Sequence, residues 1–207
     1  MSAESDRQKS HREEMKRVKS VQDARVRSKT VRRGVLIVNT GDGKGKSTAA
    51  FGMAIRAAGH GQQVGLIQFI KGKWKTGEQA ALKRFPEIEH IISGEGFTWN
   101  SQDRDRDIAA AQHGWQQAVR IIEASRGEKP EYDVLILDEL NIALRHEHLP
   151  LDEVVSVLSS KPRELSVVVT GRGAKPELIE IADTVTEMGC VKHAFQEGVR
   201  ARKGVDF

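Results

Sequence analysis

Val35-Leu36-Ile37-Val38-Asn39-Thr40-Gly41-Asp42-Gly43-Lys44-Gly45-Lys46-Ser47-Thr48 decides how the rest of the chain is read. An apolar, β-branched run stops at a turn rich in glycine, which passes into a lysine and two hydroxyls. Ala49-Ala50-Phe51-Gly52-Met53-Ala54-Ile55-Arg56 follows and reads as helix. Strand, glycine-rich loop and helix in that order form a phosphate-binding P-loop. Glycines let successive backbone N–H groups turn inward, and the helix start adds donors and the positive end of its dipole. Lys46 is placed to lie along the phosphates, and Ser47 to offer its hydroxyl to a magnesium ion. The usual motif has glycine five places before Gly45; here Thr40 stands there and the first glycine is Gly41. The altered position predicts that a triphosphate lies differently from its place in an ordinary P-loop ATPase. A plain surface turn does not account for the buried-type strand on one side and the helix on the other.

Outward from this stretch, apolar runs alternate with helical patterns. Strands are expected at 34–39, 63–70, 87–93, 132–137, 165–170 and 184–188. Helices are expected at 48–58, 78–84, 103–125, 151–159 and 176–182. Continuous apolar strands separated by helices predict an α/β fold with a mostly parallel six-stranded sheet, P-loop NTPase-like (RecA-like), and helices on both faces. Ligands of such folds bind at the C-terminal strand ends. The glycine-rich loop, Asp138-Glu139 and Gly171-Arg172-Gly173 all fall there, so they predict one composite site.

Composition sets the outer limits. The 207 residues, 38% hydrophobic and 30% charged, suit a water-soluble globular chain with one full domain. No apolar stretch has the length of a membrane span, and the polar N-terminus carries no secretory signal pattern. One cysteine, Cys190, excludes an internal disulfide and points to a reducing, cytoplasmic setting. The net charge of +4 is uneven: residues 1–33 carry +6 and the remainder −2. Residues 1–33 are therefore expected to be a basic N-terminal arm, and 34–207 the P-loop domain. Within the arm, 1–10 reads as disordered and 11–27 as a helix with a thin stripe, Met15, Val18 and Val21, that needs a surface to lie on. The acidic balance of the domain argues against a nucleic-acid partner.

Val134-Leu135-Ile136-Leu137 ends in Asp138-Glu139, the place from which P-loop proteins hold magnesium directly or through water. Arg172, between two glycines, reads equally as a phosphate contact or as an exposed turn residue. Phe97 and Trp99 sit in a glycine-flanked loop and read either as core plugs or as a platform for a flat apolar ligand. His146-Glu147-His148 reads as a solvated helix end rather than a metal pair.

Together, Thr40–Thr48, Ala50–His60, Gln68-Phe69-Ile70-Lys71-Gly72, Gly96-Phe97-Thr98-Trp99, Leu137-Asp138-Glu139-Leu140, Thr170-Gly171-Arg172-Gly173, Ala182-Asp183-Thr184-Val185, Val191-Lys192-His193-Ala194-Phe195 and the terminal Gly204-Val205-Asp206-Phe207 resemble one family. It is that of the bacterial P-loop-type ATP:corrinoid adenosyltransferases, and the likeness runs from about residue 34 to the end. The resemblance implies transfer of the 5′-deoxyadenosyl group of ATP to the Co(I) of a reduced corrinoid, with triphosphate leaving and adenosylcobalamin formed. It implies ATP held in a reversed direction, with Thr40, Gly41, Asp42, Gly43, Lys44, Gly45, Lys46, Ser47, Thr48, Arg56 and Arg172 as nucleotide contacts. Ser47, Glu139 and Asp138 would serve magnesium, with manganese able to replace it. Lys46 would be catalytic, and Phe97 and Trp99 would lie against the lower face of the corrin. A flavoprotein reductant such as flavodoxin and a homodimer are implied as well. A RecA-like ATPase or small-molecule kinase is the competing expectation, and it explains neither the aromatic loop nor the missing first glycine.

Overall fold

The computed structural model describes residues 3–70, 76–93 and 103–205. Two compact units emerge, Met1–Arg32 and Arg33–Phe207.

The first unit is one helix, α1, Ala3–Arg27. It begins well before residue 11, because 3–10 contains no glycine or proline and is mostly residues that lose little on entering a helix. Met15, Val18, Val21 and Val26 are all exposed.

The second unit runs β1 (Leu36–Thr40), α2 (Lys46–Ala58), β2 (Val64–Gln68), α3 (Gly77–Leu82), β3 (Ile88–Ile92), α4 (Arg104–Ala124), β4 (Val134–Asp138), α5 (Leu140–Arg145), α6 (Leu151–Ser159), β5 (Ser166–Thr170), α7 (Pro176–Ile181) and β6 (Thr184–Glu187), then a 3₁₀ turn at Ala194–Glu197. The six strands form one sheet in the order β3-β2-β4-β5-β1-β6. Every pairing is parallel. β5 lies between the loop-bearing β1 and the acid-bearing β4, the arrangement of a RecA-like P-loop fold. Among the described residues no helix is long and apolar enough to cross a membrane.

Period-two alternation divides the strands between two cores. Leu135 and Leu137 of β4, Val167 and Val169 of β5, and Leu36 and Val38 of β1 join one face with Trp115, Ala118, Ile121 and Ile122 of α4. Ile136, Val168 and Leu66 join the other with Ala50, Phe51, Ala54 and Ala57 of α2. Each fully buried Leu or Ile here contributes about 1.5–3 kcal/mol. The alanines of α2 keep that helix close to the sheet, so its first turn meets the end of β1. Trp115 satisfies its indole by donating Nε1–H to Glu153 Oε1 at 2.8 Å. Asp183, just before β6, pairs with Arg33 and accepts the Leu36 N–H at 2.8 Å, which fastens β6 to the start of β1.

Helix α5 has no counterpart in the expected elements. It is six residues long and starts without a capping side chain, so it lacks the periodicity and the start signal that mark longer helices.

Candidate functional site

The loop after β1 is built on backbone that few residues adopt. Gly41 has φ 90° and Gly45 φ 111°. A Cβ on Gly41 would stand 2.6 Å from the Met188 carbonyl oxygen, so glycine is required by space as well as by dihedral angle. The loop is clasped on its outer side by the chain leaving β6: Met188 N donates to Thr40 O at 2.8 Å and Gly43 N to Met188 O at 2.6 Å. Thr40 Oγ1 accepts the Ala174 N–H at 3.1 Å, tying the loop to the turn after β5.

Lys46 opens α2 and is 7% exposed. Its Nζ donates to the carbonyls of Gly41 and Gly43, both at 2.6 Å. Burial pushes its ammonium below the usual lysine range, while the negative charge of Glu139 pulls it back up. Lys46 and Glu139 are therefore electrostatic neighbours across the site. Ser47 is half-buried in the first turn of α2, beside Thr48 on the exposed side.

β4 delivers Asp138 and Glu139 in different ways. Asp138 is fully buried; its Oδ2 accepts from Gln68 Nε2 at 2.9 Å and its Oδ1 from Thr170 Oγ1 at 2.8 Å. Glu139 turns out of the strand in left-handed backbone, φ 64° and ψ 21°. For a non-glycine residue that conformation costs on the order of 1–2 kcal/mol, and such strain collects at functional sites. Its N–H is held by Thr170 Oγ1 at 3.0 Å. Its carboxylate reaches Gly171: a Cβ there would lie 3.1 Å from Glu139 Oε2.

Arg172 extends from the Gly171-Arg172-Gly173 turn toward the loop, with Nε 4.0 Å from Asp42 Oδ1. Both side chains are exposed, so the pair adds little stability and leaves the guanidinium available. Arg56 is exposed in the last turn of α2, ten residues from Lys46 and so about 15 Å along the helix axis. The fold does not bring it to the loop of its own chain. Phe97 and Trp99 lie outside the described residues. The histidine turn differs from the expected solvated end: His148 is buried and stacks on His146 with ring centroids 5.7 Å apart. Burial pushes its imidazole below the ordinary range.

The donor set suits a hard divalent cation. Ser47 and Glu139 offer oxygen only, and among the described residues no group of three or more His, Cys, Asp or Glu is placed to enclose a metal. An ion held by these two groups alone would have room for waters and phosphate oxygens in its shell.

Two amides went unnoticed in the sequence. Asn39 Nδ2 on β1 and Asn141 Oδ1 on α5 are buried with no hydrogen-bond partner among the described residues, while Asn141 Nδ2 donates to Gly171 O at 2.9 Å. Asn39 is a polar residue at the end of the apolar run Val35–Val38, and Asn141 is one set between Leu140 and Ile142; those placements are the signal that would have found them.

Residues 32–207 match the family described as ATP:corrinoid adenosyltransferase BtuR/CobO/CobP. This chain belongs to that family. It is 52% identical over 198 residues to the corrinoid adenosyltransferase of Pseudomonas aeruginosa, covering 95% of each chain. It is 45% identical to that of Escherichia coli K12, and 43% identical to the corrinoid adenosyltransferase CobA of Salmonella typhimurium. Each of these alignments covers 95% of this chain and 97% of the relative. The phosphate loop, Glu139 and the Gly171-Arg172-Gly173 turn all fall inside the matched span.

Proposed function

We propose that this adenosyltransferase-family chain moves the 5′-deoxyadenosyl group of ATP onto the Co(I) of a reduced corrinoid. Cobalt supplies the electron pair of the new Co–C5′ bond; the C5′–O bond breaks, and its electron pair leaves with triphosphate. The cobalt is itself the nucleophile, so no nucleophilic side chain is required. The observation that carries the reading is the buried Lys46 in its glycine loop, electrostatically coupled to Glu139, within a chain that matches the family over residues 32–207.

The departing triphosphate is highly anionic, so catalysis rests on positioning and on charge placed in advance. The loop amides other than that of Gly43, which donates to Met188 O, and the Lys46 ammonium would provide that charge. Ser47 and Glu139 would hold magnesium, or manganese in its place, which adds neutralisation of the triphosphate when bound. Arg172, exposed beside Asp42 of the loop, would offer its fork to phosphate oxygens. Phe97 and Trp99 are assigned to the lower face of the corrin by the family likeness. There they would exclude a lower axial ligand and make Co(II) easier to reduce. A flavodoxin-type reductant in the cytoplasm and a homodimer complete the reading on the same basis.

Product analysis tests it. The purified protein, ATP, magnesium and chemically reduced cobalamin are expected to give an adenosylated corrinoid and triphosphate in equal amounts. ADP and phosphate without adenosylation would instead assign an ATPase.

A further inference from the structure

Four neighbouring strands each contribute one polar side chain: Gln68, Asp138 and Thr170 are the last residues of β2, β4 and β5, and His90 lies at the middle of β3. They are joined in a continuous chain. His90 Nε2 meets Gln68 Oε1 at 2.9 Å, Gln68 Nε2 donates to Asp138 Oδ2 at 2.9 Å, and Thr170 Oγ1 donates to Asp138 Oδ1 at 2.8 Å. Glu139 N then donates to Thr170 Oγ1 at 3.0 Å.

Backbone and amide groups set the direction of the bonds. The Glu139 N–H can only donate, so Thr170 Oγ1 accepts from it and has its single proton left for Asp138 Oδ1. Gln68 turns its NH₂ to Asp138 Oδ2 and its oxygen to His90, and an amide oxygen only accepts, so His90 donates from Nε2. The bond from the Glu139 N–H to Thr170 clamps Glu139 at the left-handed φ that turns it out of the strand.

We propose that Asp138 is a positioning residue: it acts through the Thr170 hydroxyl to hold Glu139 in place, and it is not itself a ligand of the cation. Both carboxylate oxygens already serve neutral donors in a fully buried setting, whereas the Glu139 carboxylate has left the strand and lies beside Gly171. The inference rests on the proposed assignment of Glu139 to the cation.

The substitution that separates the roles is Asp138→Asn. An asparagine can still accept from Thr170 through Oδ1. Its NH₂ can donate to a flipped Gln68, whose own NH₂ then donates to His90 Nε2. Polarity reverses, shape is kept, and the proton of His90 moves to Nδ1. Mn²⁺ serves as the probe, its binding to the protein–ATP complex followed by electron paramagnetic resonance. Nitrogen-15 NMR of the histidines at about pH 8 reads the tautomer.

Asp138→Asn is expected to weaken Mn²⁺ binding less than about threefold and to move the His90 proton to Nδ1. Thr170→Val, which loses the hydroxyl, is expected to weaken it about tenfold or more, as lost supports of metal-site residues do. Thr170→Ser should restore it. A loss in Asp138→Asn as large as in Glu139→Gln, in protein of unchanged melting temperature, overturns the proposal. So does Thr170→Val with native Mn²⁺ affinity, or a His90 proton that stays on Nε2 in Asp138→Asn. Failure of the underlying assignment is distinct: Glu139→Gln itself would leave Mn²⁺ binding unchanged.

Discussion

Replacing Lys46 by methionine isolates the charge from the volume. The stem is kept, and what is lost is an ammonium donating to Gly41 O and Gly43 O at 2.6 Å each. Each such bond to a charged group contributes about 1.5–3 kcal/mol. Against that, the ammonium is partly desolvated, as its lowered pKa records, and removing it relieves that cost. The two effects oppose each other, so the net change in folding stability is expected to stay within about 1–2 kcal/mol. At this chain length that is a melting-temperature change of a few degrees, roughly 2–4 °C per kcal/mol. No such compensation exists for catalysis. The leaving group gains charge as C5′–O breaks, and a preorganised donor aimed at developing charge is worth about 10²–10³ in turnover. The expected outcome is a folded Lys46→Met protein whose turnover falls by that factor or more. Starting from chemically prepared Co(I)alamin, adenosylation is followed by absorbance and triphosphate is measured in parallel. Circular dichroism and the melting curve verify the fold. A folded variant that keeps more than about a tenth of native turnover would refute the role of Lys46.

Gly41→Ala is expected to lower the melting temperature by about 4 °C or more, because alanine must hold φ 90° with its Cβ 2.6 Å from Met188 O; an unchanged curve would mean the loop relaxes freely. Asp183 gives a pH prediction. The bond from Arg33, then the Leu36 N–H, hold its carboxyl well below the usual carboxylate range. A depressed folded-state value adds stability above the ordinary unfolded value of about 4, and that stability is lost as pH falls through the lower folded one. Urea midpoints of Asp183→Asn should be lower than native at neutral pH and converge on native in strong acid; a constant offset across that range would count against the pairing. Phe97→Ala and Trp99→Ala are expected to impair adenosylation from Co(II)alamin with a flavoprotein reductant far more than from prepared Co(I)alamin. Equal losses that track thermal destabilisation would make them core residues, whose truncation costs about 3–5 kcal/mol.

What could be read from the sequence was whatever is local. The β-branched runs around Val38, Ile136 and Val168 announced buried strands because a strand covered on both faces leaves no polar alternation to hide it. Gly41 and Gly45 announced the loop because only such residues take its dihedral angles without strain. The helix at 140–145 escaped because six residues are too few to show a period. Helix α1 reaches back to Ala3 because charged residues that look disordered in composition are also good helix formers.

The polar chain behind Glu139 escaped for a deeper reason. Gln68 and Asp138 stand in register across β2 and β4, seventy positions apart, and Thr170 lies on the strand beyond. Their partnership depends on the order β2-β4-β5, which no local pattern encodes. Asp138 and Glu139 look equivalent when written side by side, two adjacent acids after four apolar residues. The pleat of β4 separates them: it sends Asp138 inward among neutral donors, and the strand end lets Glu139 leave the sheet through a left-handed residue. Adjacent acids at a strand end thus divide into one that holds and one that is presented. Which is which follows from the neighbours the sheet supplies, and here the deciding neighbour is the Thr170 hydroxyl between them.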